Sequence, residues 1–321
     1  MVVLDFIYIA LGLAGLYFGG DWLVEGASRL ARVLGVPVVI IGLTIVAFGT
    51  SVPELVTNLV AVVRDTNDIA VGNIIGSNIA NIGLILGMSA AIASRALSTR
   101  DVQRDWVIML GVAVLGYVLL VIDGDLSRVD GLILVGGIVL YIARAFRESR
   151  EQHVDTTESR ESAAHPEQHN VLKEVGRIAV GVVLLVIGAQ LTVDGAVNIA
   201  RFLGVSELVI GVTLVAVGTS LPELATSVVA ATKGQHEIAL GNVIGSNIFN
   251  ILLILGVTGV LHPYEINGQA LSFDAPFMLL MTVLMGLLIR DGRIARLEGI
   301  VLVATYIVYI MLVFFRPLIG V

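Results

Sequence analysis

The sequence predicts an all-α membrane protein of ten transmembrane helices arranged as two inverted five-helix repeats, and three observations predict it. The first is composition: of 321 residues, 57% are hydrophobic and only 14% charged, where an ordinary soluble domain has about a quarter charged. The mean hydropathy is +0.96. The second is that the apolar residues fall in runs close to the roughly 20 residues a spanning helix needs. The third is an internal repeat. AFGTSVPELVTN, from Ala47 to Asn58, returns as AVGTSLPELATS, from Ala216 to Ser227, and GNIIGSNIAN, from Gly72 to Asn81, returns as GNVIGSNIFN, from Gly241 to Asn250. Both are displaced by 169 residues.

Taken in order, the predicted spans of the first half are 2–24, 37–63, 68–93, 104–122 and 127–146. Those of the second are 175–195, 206–232, 237–261, 273–290 and 296–315. The N-terminus carries no basic segment ahead of its apolar run, so 2–24 reads as a span and not as a cleaved signal. The two halves are 1–147 and 175–321, joined by a polar linker at 148–174 with no apolar periodicity. VEGASRLARVLGV (Val24 to Val36) matches VDGAVNIARFLGV (Val193 to Val205) at the same displacement, so the repeat reaches well beyond its two motifs.

Orientation follows from the basic residues. Fifteen of nineteen fall on the side reached after the first, third, fifth, seventh and ninth spans, and four on the other. The positive-inside rule makes the richer side cytoplasmic. Both termini are then extracellular and the central loop cytoplasmic. Five spans per half is an odd number, so the halves enter the membrane from opposite sides, the arrangement of many secondary transporters.

Composition excludes several classes. The chain has a net charge of -7 and no basic stripe, which argues against nucleic-acid binding. The absence of cysteine excludes disulfides, thiolate metal sites and cysteine nucleophiles.

Two carboxylates stand out. Glu54 and its repeat Glu223 each lie inside an apolar helix, where a charge costs about 2.5–3.5 kcal/mol on insertion scales and normally faces a cavity or a partner. No Lys, Arg or His is embedded near either one, so a cation, a proton or water has to compensate them. Pro53 and Pro222 should kink their helices by removing a donor and crowding the carbonyls of Gly49 and Gly218. Thr50 and Ser51 then bring hydroxyls beside Glu54. On the next helix Asn73, Ser77 and Asn81 recur every four residues, as do Asn242, Ser246 and Asn250. Gly72, Gly76, Gly241 and Gly245 admit close backbone approach. An all-oxygen shell with two carboxylates suits a hard cation such as Ca²⁺, which takes 6 to 8 oxygens. Simpler roles stand beside this one. Ser51 and Glu54 fit a capping box, the asparagines fit interhelical hydrogen bonding, and Asp21, Glu25 and Asp194 near helix ends fit solvated or capping positions.

The paired GTSVPEL with GNIIGSNIANIGLILG, and GTSLPEL with GNVIGSNIFNILLILG, resemble the two alpha-repeats of the sodium/calcium exchangers, in the prokaryotic branch of the cation/calcium exchanger superfamily. That resemblance implies a diamond of four central sites. Glu54, Thr50, Glu223 and Thr219 would hold Ca²⁺. The Ala47 carbonyl, Ser51 and Ser77 would serve the inner side, the Ala216 carbonyl, Ser220 and Ser246 the outer, and Asn81 and Asn250 the middle. Asn250 stands where some archaeal and potassium-dependent relatives carry Asp, which argues against potassium dependence.

The expected function is antiport of Na⁺ against Ca²⁺ across the cell membrane by alternating access. There is no chemical step and no cofactor, and the two ions are substrates. Proton/Ca²⁺ antiport is the near alternative, because two protons could also neutralise the acids. A cation channel is the alternative of another class. A hydrolase built on Ser51 or Ser220 lacks a base in the same region.

Overall fold

The computed structural model of the chain describes residues 2–93, 97–98, 102–157, 170–205, 216–266, 268 and 270–319. It is almost entirely helical. In chain order the helices are α1 (Val2–Leu34), α2 (Val38–Thr50), α3 (Val52–Val63), α4 (Asn67–Ile92), α5 (Gln103–Asp123) and α6 (Arg128–Thr157). They continue with α7 (Val171–Phe202), α8 (Ala216–Thr219), α9 (Leu221–Thr232), α10 (His236–Leu261), α11 (Ala270–Leu288) and α12 (Arg296–Ile319). Among the described residues eight helices are long and apolar enough to cross a membrane, and the bent pair α2 and α3 makes a ninth. The first ten residues of the expected seventh span, 206–215, lie outside the described residues, as does linker segment 158–169.

Several helices run past their apolar stretch. α1 continues ten residues beyond Val24 to Leu34, so Arg29 and Arg32, expected in a loop, sit on its last turns. Strong helix formers carry it on, until Gly35 stops it with a φ of 66°. The expected linker is also partly helical. α6 extends through the polar stretch to Thr157 and α7 begins at Val171, because Arg, Glu and Gln favour a helix whether or not it is apolar. Asn170 caps α7, its side chain accepting the Leu172 N–H at 2.9 Å.

α1 and α7 pack antiparallel along their lengths. Gly12, Gly19 and Gly26 face Gly188, Gly181 and the turn at Glu174, while Gly195 faces Asp5. A glycine every seventh residue keeps one seam toward the partner helix, and a Cβ on Gly188 would lie 2.7 Å from the Gly12 carbonyl oxygen. The two helices therefore touch backbone to backbone, as membrane helices do when small residues line the contact.

The centre is occupied by α4 and α10. Every residue from Ile238 to Phe249 is buried, which makes this stretch of α10 a core segment buried all round. α6 packs on the end of α10, with Gly131 against Gly256 and Val260, and α12 packs on the end of α4, with Gly299 against Gly87 and Ala90. The last long helix of each half thus closes over the central helix of the other. Two short antiparallel ladders repeat that exchange: β1 (Leu97–Ser98) pairs with β4 (Arg293–Ile294), and β2 (Asp125–Leu126) with β3 (Tyr264–Glu265).

Candidate cation site

The local break at the repeated motif positions everything else. Ser51 leaves the helical region with φ -84° and ψ 5°, and Ser220 does so with φ -89° and ψ 5°. α2 and α3 meet there at a bend of 43°. The kink expected from Pro53 is present, with Pro53 and Pro222 in the first turn of the new helix, where a missing N–H costs nothing. The capping-box alternative does not hold. Neither Ser51 nor Ser220 makes a side-chain cap, because the Ser51 hydroxyl instead donates across the molecule to Glu223 Oε1 at 3.2 Å.

Glu54 and Glu223 are each 2% exposed and close enough to repel one another. Both Glu54 oxygens and Glu223 Oε2 have no hydrogen-bonding partner; Ser220 approaches Glu54 without reaching bonding geometry. Among the described residues no Lys, Arg or His forms an ion pair with either carboxyl, and no cluster of three or more His, Cys, Asp or Glu exists. Buried polar atoms are normally paired. Asn58 Oδ1, Asn81 Oδ1 and Asn250 Oδ1 are orphaned acceptors like the carboxylate oxygens, and the Ser246 hydroxyl and one donor, Asn73 Nδ2, are also without a partner.

Hydroxyls and amides of the two halves interlock around these acids. Thr50 donates to Asn242 Oδ1 at 3.0 Å, and its repeat Thr219 to Asn73 Oδ1 at 3.4 Å. Asn242 also donates to Ser227 Oγ at 3.0 Å, and Asn58 to the Glu54 carbonyl at 2.8 Å. Asn73 and Asn242 are therefore interhelical ties, one of the roles the sequence left open. The Ala47 carbonyl accepts both the Ser51 N–H at 3.0 Å and the Thr50 hydroxyl at 3.3 Å. Ala216 opens α8. Ser77 lies against Ser220, their hydroxyls 3.5 Å apart, because α4 faces the broken helix of the opposite half. Ser246 is fully buried.

Gly241 and Gly245 allow the close approach expected of them, and a Cβ on Gly245 would fall 2.6 Å from that of Ala47. Gly72 and Gly76 meet nothing within 4 Å among the described residues. That side carries a cavity of about 320 Å³, lined by Thr57, Asn73, Ser77, Thr219, Asp274 and Tyr309 among others. Asp21 and Glu25 are ion-paired, to Lys233 and to Arg29 and Arg177 respectively, and Asp194 accepts from Gln190.

Sequence reasoning missed a second layer. Asn81 and Asn250 each open a wide, π-helical turn, Asn81–Leu86 and Asn250–Leu255, a distortion frequent at functional sites. Their amide groups donate to Asn247 Oδ1 at 3.4 Å and to Asn78 Oδ1 at 3.1 Å. Asn247 in turn donates to Met109 Sδ at 3.5 Å, and Asn78 to Met278 Sδ at 3.4 Å. The available signal was that Asn78 and Asn247, and Met109 and Met278, all stand 169 residues apart.

Paired acids buried between two interlocked sets of membrane helices, with oxygens and no base around them, define a transporter of cations. The sequence profile described as sodium/calcium exchanger protein matches residues 4–147 and 173–315, and the chain belongs to that family. It is 35% identical over 349 residues to the sodium/calcium exchanger MaX1 of Methanosarcina acetivorans, covering 98% of this chain and 100% of that one. It is 36% identical over 311 residues to the inner membrane protein YrbG of Escherichia coli, covering 95% of each. Among solved structures, the sodium-calcium exchanger NCX_Mj soaked without Na⁺ and Ca²⁺ superposes with a TM-score of 0.84 at 35% identity, over 97% of this chain and 99% of that one. The protein is thus a multi-pass membrane antiporter of the sodium/calcium exchanger family, a family that transports Ca²⁺ and Na⁺ as substrates.

Proposed function

We propose that this chain exchanges Na⁺ for Ca²⁺ by alternating access, using one site shared by its two halves. The observation that carries the proposal is the pair Glu54 and Glu223, one from each half, 2% exposed and without a basic partner. Left uncompensated, two buried carboxylates are costly. One Ca²⁺ or several Na⁺ relieve that cost, and competition for the same pair couples the two fluxes. A carrier with an empty site stays charged within the membrane and resists the inward-outward transition. Loaded carriers cross.

In this reading Thr50, Thr219, Glu54 and Glu223 hold Ca²⁺. Ser51, Ser220, Ser77, Ser246 and the carbonyls of Ala47 and Ala216 complete flanking Na⁺ sites, and the Asn81 and Asn250 amide oxygens face the middle. The interlocking of each half with the other supports ten spans in two inverted repeats, 1–147 and 175–321. The basic-residue asymmetry supports extracellular termini and a cytoplasmic linker.

The test is ⁴⁵Ca²⁺ uptake into proteoliposomes under an imposed Na⁺ gradient, and separately under an imposed pH gradient. Uptake that follows Na⁺ is the expected result. Uptake that ignores Na⁺ and follows pH replaces this reading with proton exchange.

A further inference from the structure

Asn81 and Asn250 pose an orientation problem that charge does not solve. A carboxylate presents oxygen whichever way it turns, but an amide presents either a carbonyl oxygen or an NH₂ group. Turned the wrong way, the NH₂ groups would face the cations and repel them. In this structure both amide oxygens are left over: Asn81 Oδ1 and Asn250 Oδ1 are buried and accept nothing, while each NH₂ is engaged.

We infer that Asn247 with Met109, and Asn78 with Met278, are two symmetric positioning relays that fix the central amide oxygens toward the transported ions. The inference rests on the proposed cation site and adds to it residues that touch no ion. Each relay has a direction set by chemistry. A thioether sulfur can only accept, so Met109 and Met278 draw the NH₂ groups of Asn247 and Asn78 toward themselves. Those two asparagines must then turn their carbonyls the other way, where they accept from Asn81 and Asn250. The last two are left with their oxygens unengaged. All four asparagines and both methionines are at most 4% exposed, so no water competes for the donors. The methionines lie on α5 and α11, outside the helices that carry the acids, so the framework and not the moving ions sets the amides.

The test is a mutant cycle read as the Na⁺ midpoint of Na⁺-driven ⁴⁵Ca²⁺ uptake, with the Ca²⁺ midpoint and the maximum rate measured beside it. Asn78→Ala removes the acceptor behind Asn250. It should raise the Na⁺ midpoint about threefold to tenfold, the ratio equivalent to one ordinary hydrogen bond, with the Ca²⁺ midpoint moved less. In an Asn250→Ala background the same change should have no further effect, because the amide it orients is gone. An equal shift in both backgrounds, or none in either, overturns the relay. Should Asn250→Ala carry no flux, Met278→Leu decides: it keeps apolar bulk but removes the sulfur, and an unchanged Na⁺ midpoint overturns the inference. Absence of Na⁺-driven flux in the wild type is a different failure. It removes the cation-site reading, and the relay falls with it.

Discussion

At the scale of single residues, Glu54 and Glu223 carry opposite consequences for stability and for transport. Replacing either by Gln keeps the shape and removes a buried charge. We expect Glu54→Gln and Glu223→Gln to remain extractable and folded, and to unfold at a temperature equal to or above wild type when no cation is present. Stripped of one charged ligand, Ca²⁺ should bind at least about a hundredfold more weakly, the scale of breaking a buried ionic contact, about 3 kcal/mol or more. Stabilisation by Ca²⁺, about 2.7 kcal/mol at a hundred times the dissociation constant, should therefore vanish from the melting curve. A mutant that is still stabilised by Ca²⁺, or still transports it, contradicts the assignment. These acids were legible in the sequence because each is an isolated charge in an apolar run and the run occurs twice. Asn78, Met109 and their repeats were not. A methionine in a membrane helix reads as packing, and only the fold shows that an amide donates to its sulfur.

At the scale of elements, the α1 and α7 seam and the break at Ser51 make separate demands. Gly188 has no room for a side chain, whereas Gly176 on the same helix meets nothing within 4 Å. Gly188→Ala should destabilise by about 1–3 kcal/mol, the range for forcing an extra methyl into a packed contact. Gly176→Ala should be neutral or stabilising by up to about 1 kcal/mol through helix propensity. Thermal unfolding in detergent compares them, and equal effects would show that the seam is not tightly packed. The helix break was legible from Pro53 and Pro222. Helix ends were not. Apolar run length reports bilayer thickness, while α1, α6 and α7 continue past it, the end of α1 held by packing, with Ala27, Leu30 and Ala31 buried.

At the scale of the whole molecule, the proposed architecture makes statements about sides and charge. The chain has no cysteine, so a single one introduced at Ser159, outside the described residues, is a clean probe. It should react with impermeant reagents only from the cytoplasmic side; labelling from outside intact cells inverts the topology. With two acids and neutral amides at the centre, exchange should need no K⁺, and more than two Na⁺ per Ca²⁺ would make it sensitive to membrane potential. Flux in K⁺-free vesicles checks the first, and an imposed potential the second. Asn250→Asp adds a third acid and should slow turnover by retaining cations.

The central claim is that one pair of acids, contributed by both halves, is shared by competing ions. Equilibrium ⁴⁵Ca²⁺ binding to the purified protein, titrated with Na⁺, measures that sharing directly. The account predicts that Na⁺ displaces all bound Ca²⁺, with a Hill coefficient above one because several Na⁺ replace each Ca²⁺. Bound Ca²⁺ that stays put as Na⁺ rises would contradict it.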